Sequence, residues 1–167
     1  MSLDNIQLSP IVIQQLFTNS LIELKNKNTE LETQSLFEIN LLGKNLKKIV
    51  ILVSYPDIAY LPDEELNFLM GILSACNLSM DDVGIANVLN NPTIDYQILS
   101  KDLQTDKVLL FAVGTDAIKL PLAFPHYQIQ QYQSQTYLAA PSLTLLQNNK
   151  PEKTKLWFSL KQLFAIS

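Results

Sequence analysis

The chain has 167 residues and a formal net charge of -4 at pH 7; 47% of its residues are hydrophobic and 17% charged. That length suits one domain with a substantial core, and the acidic balance argues against a protein coated in basic surface for phosphate binding. A lone cysteine, Cys76, excludes an intramolecular disulfide, an iron–sulfur cluster and a cysteine-rich zinc site.

The opening Met1-Ser2-Leu3-Asp4 lacks a basic stretch followed by an apolar one, and the longest apolar run, Ile49 to Val53, is only strand-sized. A cytoplasmic protein is the expectation. Ser9 to Leu24 reads as a helix, with Ser9 as N-cap and Pro10 in the first turn. Ile13, Leu16, Phe17, Leu21 and Leu24 form a stripe at helical spacing, followed by a polar run from Lys25 to Gln34. Residues 1–34 are therefore read as a helical segment and linker, and 35–167 as the main domain. The stripe either packs on its own domain or docks on a partner.

Lys48 to Ser54 reads as a central strand, because a continuous β-branched run suits burial on both faces. Pro62 opens a helix with Asp63, Glu64 and Glu65 in its first turn, where the dipole favours acids. Leu66, Leu69, Met70, Leu73 and Cys76 are its expected buried face. Val83 to Leu89 reads as a strand ended by an Asn90-Asn91-Pro92 turn, Tyr96 to Leu103 as a short helix, and Lys107 to Val113 as a third buried strand. Gly114-Thr115-Asp116 turns the chain into a brief helix. Gln128 to Gln133 and Thr136 to Ala139 read as two strands around a Ser134-Gln135 turn. Ser142 to Leu146 reads as a helical turn, and Pro151 starts a last helix with Leu156, Trp157, Leu160, Leu163 and Phe164 inward. This alternation predicts a three-layer α/β/α domain with a mainly parallel sheet.

Catalytic patterns are sparse. The one histidine, His126, stands between Pro125 and Tyr127 with no nucleophile or acidic orienter at a telling spacing, which suits a loop histidine. Cys76 falls on an apolar helix face, as a buried thiol would. Asp81-Asp82 after Ser79 reads as a local cap, and Gly114-Thr115 is a lone turn rather than a phosphate loop. The lysines come in small groups without a long stripe, so direct nucleic-acid binding is expected to be weak or absent. No metal or cofactor is expected.

From Ile49 to Phe164 the chain resembles the uracil-DNA glycosylase-like superfamily in layout. The phrase Asp82-Val83-Gly84-Ile85-Ala86-Asn87-Val88, the strand followed by Gly114-Thr115-Asp116-Ala117, and the loop Ala140-Pro141-Ser142 carry the likeness. The resemblance implies that fold and places a first catalytic loop at Tyr55-Pro56-Asp57 and a His-Pro-Ser loop at Ala140-Pro141-Ser142. Here the first loop has lost its glycines, and Ala140 stands where the imidazole would be. A methyl group can neither donate a hydrogen bond nor stabilise a leaving anion, so glycosylase activity is not expected.

A narrower likeness is to the psi-subunit family of bacterial DNA polymerase III. Pro141-Ser142-Leu143-Thr144-Leu145-Leu146, nine residues, then Leu156-Trp157 matches that family's tail. The resemblance implies a non-catalytic accessory subunit with clamp-loader and chi-like partners, Ser9 to Leu24 being placed as the docking segment. Two alternatives stand beside it: a divergent glycosylase-like repair enzyme or hydrolase using Asp57, and an interaction protein unrelated to replication. A basic cleft beside Asp57 would favour the enzyme; a closed, filled one would favour binding.

Overall fold

The computed structural model describes residues 39–166, which belong to one compact unit, Ile39–Ser167. The stripe Ile13, Leu16, Phe17, Leu21 and Leu24, and the boundary drawn at residue 34, lie outside the described residues.

Five strands form one sheet: β1 (Ile49–Val53), β2 (Val83–Asn87), β3 (Lys107–Phe111), β4 (Ile129–Tyr132) and β5 (Gln135–Ala140), in the spatial order β2-β1-β3-β5-β4. The first three and β5 run parallel; β4 pairs antiparallel with β5. The helices are α1 (Asp63–Ala75), α2 (Tyr96–Lys101), α3 (Leu143–Gln147) and α4 (Lys150–Leu163). Leu42 exchanges both backbone hydrogen bonds with Ile85, at 2.8 Å each, and so covers the outer edge of β2. Among the described residues no helix is long and apolar enough to cross a membrane.

Period-two alternation divides the core. Ile49, Ile51 and Val53 pack with Leu69, Leu73, Leu143, Leu156 and Leu160 on one face. Val50 and Leu52 pack with Ile94, Leu99, Val108, Ile118 and Tyr137 on the other. Every residue of β1 and β2 is buried, as both-face coverage requires. The sheet is thus covered on both sides, and the expected mixed α/β architecture with a mostly parallel sheet is present.

Several local expectations need correction. The second strand ends at Asn87, not Leu89, because the Asn87 side chain accepts from the Leu89 N–H and turns Val88–Asn90 into a 3-10 helix. The third ends at Phe111, and Ala112 takes a left-handed φ of 59°. The hairpin turn is at Gln133-Ser134, where φ is 48° and 69°, one residue earlier than the alternation suggested. Gln135 is inside the sheet because its amide donates to the Thr105 carbonyl and its side-chain oxygen accepts from the Tyr137 hydroxyl. Pro62 is the N-cap of α1 rather than its first residue. Met70 is 43% exposed, and the residue that turns inward instead is Glu65. Trp157 and Phe164 are half-buried.

Gly43 is required where it stands. Its φ is 102°, and a Cβ there would lie 2.2 Å from the Val83 carbonyl oxygen and 2.6 Å from that of Met80.

Candidate functional site

In a parallel sheet, ligands bind beyond the carboxyl ends of the strands, where neighbouring connections diverge. Here β1 has β2 on one side and β3 on the other, so its exit loop, Ser54 to Asp57, lies at that divergence. Ala140 pairs with Phe111 at the end of β3, and Asn87 with Val53 at the end of β1. The sheet therefore brings Tyr55-Pro56-Asp57, Asn87 and Ala140-Pro141-Ser142 to one rim.

Asn87, Ala140 and Ser142 each have a structural task. Asn87 is fully buried, and its amide grips the first loop. Its Nδ2 donates to the carbonyls of Tyr55 (2.6 Å) and Ile58 (3.0 Å), and its Oδ1 accepts from the Tyr55 N–H (3.2 Å). Asn90 adds bonds to the carbonyls of Ile58 (2.7 Å) and Ala59 (2.9 Å). Asn91 donates to the Asn87 carbonyl and accepts from the Asn40 N–H, each at 2.9 Å. Asp57 and Pro56 are exposed, and Asp57 has a left-handed φ of 64°.

Ala140 is 2% exposed and is the last residue of β5 rather than part of a loop. Its carbonyl accepts from the Ala112 N–H at 3.0 Å. Ser142 caps α3, its Oγ accepting from the Leu145 N–H at 3.2 Å. Pro141 is half-buried between them.

The sequence reading missed a polar cluster behind this rim. Glu65 is 7% exposed, and its Oε2 accepts from the Thr144 hydroxyl at 2.5 Å. The Tyr55 phenol is beside them: burial raises its pKa above the usual value, the Glu65 charge adds to this, and the Thr144 hydroxyl opposes it. The cluster ties α1, α3 and the β1 exit loop together. A helix-start acid at Glu65 gave no sequence signal of burial, because dipole placement already accounted for it.

The rim is poor in cations. The loops leaving the parallel strands, residues 54–62, 88–95, 112–128 and 141–149, contain Lys119 and His126 as their only basic side chains. Lys47, Lys48 and Lys107 lie instead at the opposite end of the sheet, where Lys44 and Lys47 pair with Asp81 (3.2 Å) and Asp82 (3.6 Å). Phosphate backbones bind through clustered cations, and this rim does not supply them.

The remaining candidates are placed plainly. His126 is exposed in the loop before β4, its ring edge-on to Tyr127. Cys76 is buried, and burial pushes its thiol up to about 11. Ser79 and Asp82 form a capping box, with the Ser79 N–H donating to Asp82 at 2.8 Å. Among the described residues, no three His, Cys, Asp or Glu side chains gather as metal ligands would. Leu156 is buried, while Trp157 borders an apolar groove between α1 and α4. The chain matches no protein-family model and no curated protein sequence.

Proposed function

We propose that this protein works by binding rather than by catalysis, as a psi-like accessory subunit bridging components of a DNA polymerase III assembly. The observation that supports a non-catalytic role is the use made of the rim. Asn87 holds the backbone of the first loop, Ala140 is packed in a strand, and Ser142 caps a helix. Base excision needs an open approach to the first loop and a donor that stabilises the leaving base. Here the loop's carbonyls are bonded to asparagines, and the donor position is a buried methyl.

The psi-like assignment rests on the sequence resemblance. The tail motif has a structural use consistent with a scaffold: Leu143 and Leu146 fill the core, and Thr144 bonds Glu65. Bridging would use the segment around Leu16, Phe17 and Leu21 for one partner and the domain surface for another.

The test uses the full chain with purified clamp-loader and chi-like subunits. Co-elution on size exclusion that Phe17→Asp abolishes, with the melting temperature of the variant unchanged, supports the assignment. Absence of co-elution together with absence of uracil release from DNA would move the protein to a binding role outside replication. Uracil release that Asp57→Asn abolishes would make it an enzyme.

A further inference from the structure

The α1 and α4 helices leave an apolar groove of about 360 Å³ between them. Phe68, Gly71, Ile72, Trp157 and Leu160 line it, with Lys153 on its border. The two helices run in the same direction. Near their starts, Lys153 Nζ lies 5.8 Å from the centroid of the Phe68 ring. Past their ends, Cys76 and Asn77 share a second recess with Phe164 and Ile166.

The two banks differ in chemistry. On α1 Asn67, Phe68, Gly71, Ile72 and Ala75 line the groove, and Glu64, seven residues before Gly71, falls on the same stripe by helical spacing; the helix has no base. On α4 Lys153, Leu156, Trp157 and Leu160 line it, and Lys150, seven residues before Trp157, falls on the same stripe by helical spacing. Gly71 is exposed in mid-helix, and a Cβ built there meets nothing within 4 Å. The α1 bank thus has a hollow at Gly71, between Phe68 and Ile72, and the α4 bank carries the Trp157 indole. Phe158, next to Trp157, is 63% exposed.

We infer that this face is a homodimer interface, in which a second copy of the chain packs about a twofold axis running along the groove. Such an axis preserves height along the helices and exchanges left for right. It lays α1 of one copy on α4 of the other. Glu64, one turn before Phe68, then meets Lys150 and Lys153 of the second copy, and the Trp157 indole lies over the hollow at Gly71. The same contacts repeat on the other side of the axis, as an isologous interface requires. A twofold perpendicular to the helices would instead put α1 on α1 and the lysines of α4 on each other.

Each helix is roughly 20 Å long, so the face buries on the order of 1,000 Å² over both copies, the lower range for specific association. The dimer is therefore reversible and weakens as salt screens its charge pairs.

Sedimentation equilibrium of the full chain tests this. The parent should show a concentration-dependent monomer–dimer equilibrium. Glu64→Lys alone, and Lys150→Glu with Lys153→Glu, should each raise the dissociation constant by about tenfold or more, because like charges then face each other across both halves. Mixing these two variants in equal amounts should restore dimers, since every facing pair again has opposite sign. Gly71→Trp fills the hollow without meeting its own chain at Cβ, so it should remain folded by circular dichroism and stay monomeric. A parent that is monomeric at every concentration, or a mixture that fails to regain dimers, overturns the proposal.

Discussion

The side chain of Asn87 treats the backbone of Tyr55 as one strand treats its neighbour. It accepts from the Tyr55 N–H at 3.2 Å and donates to the Tyr55 carbonyl at 2.6 Å. The ladder between β1 and β2 ends with Val53 opposite Asn87, and this amide extends the pairing beyond the last strand residue. Asn87→Ala should leave the Tyr55 N–H and carbonyl without this partner, remove one of the two bonds to the Ile58 carbonyl, and cost about 2–4 kcal/mol, more than one lost hydrogen bond. Urea denaturation measures this; a loss near zero would mean that the loop needs no such clamp.

Thr144→Val should cost about 1–2 kcal/mol, because it keeps the shape of the side chain and removes the hydroxyl that bonds Glu65. In a Glu65→Leu background the same change should cost much less, since its partner is already gone. A double-mutant cycle with no coupling between the two positions would refute the contact.

Much of the framework was legible in the sequence, for reasons these two sites make clear. β1 and β3 were visible because burial on both faces leaves unbroken apolar runs. The capping box at Ser79 was visible because its residues are local. Asn87 and Glu65 were not. Asn87 bonds residues 32 and 29 positions away, and Glu65 bonds one 79 positions away, so neither leaves a periodic trace. The hairpin slipped by one residue for a related reason. Gln133 and Ser134 take the left-handed conformations usually assigned to Gly or Asn, while the polar Gln135 is held inside by Thr105 and Tyr137.

Gly43→Ala should destabilise the domain by about 2 kcal/mol or more, because the new methyl would collide with backbone oxygens at a φ hostile to side chains. Gly71→Ala should do the reverse and stabilise by about 0.5–1 kcal/mol, being a helical position with open space. Thermal melts of the two variants should move in opposite directions. Shifts of the same sign would contradict the assigned backbone at one of them.

Cys76 should resist thiol reagents in the folded protein. Its thiol is pushed up from 9.0 to about 11 by burial, so little thiolate exists at pH 8. Reaction with a disulfide reagent at that pH should be ~100-fold slower or more than for free cysteine and become fast in denaturant. Rapid labelling without denaturant would show the C-terminal end of α1 to be open.

Asp82 should contribute to acid sensitivity. The Ser79 N–H, first among its partners, holds its carboxyl below the usual value, with Lys47 assisting. Because the folded pKa is depressed, the stabilisation is present above the unfolded value of 3.8 and is lost as pH falls through the folded one. An NMR titration should place the Asp82 midpoint below 3.8, and Asp82→Asn should lose less stability than the parent on acidification. A midpoint at or above the unfolded value would reject the cap.

The strand order also bears on how the chain can be built during synthesis. β1 emerges before the other four strands and occupies an interior place; β2 joins one flank and β3 the other, and the β4–β5 hairpin docks last against β3. No strand has to be forced between two that are already paired. A chain released as far as Val113 already holds three adjacent strands, with Leu42 waiting at the outer flank of β2. Assembly can therefore keep pace with translation, each new pairing adding to those before it and undoing none.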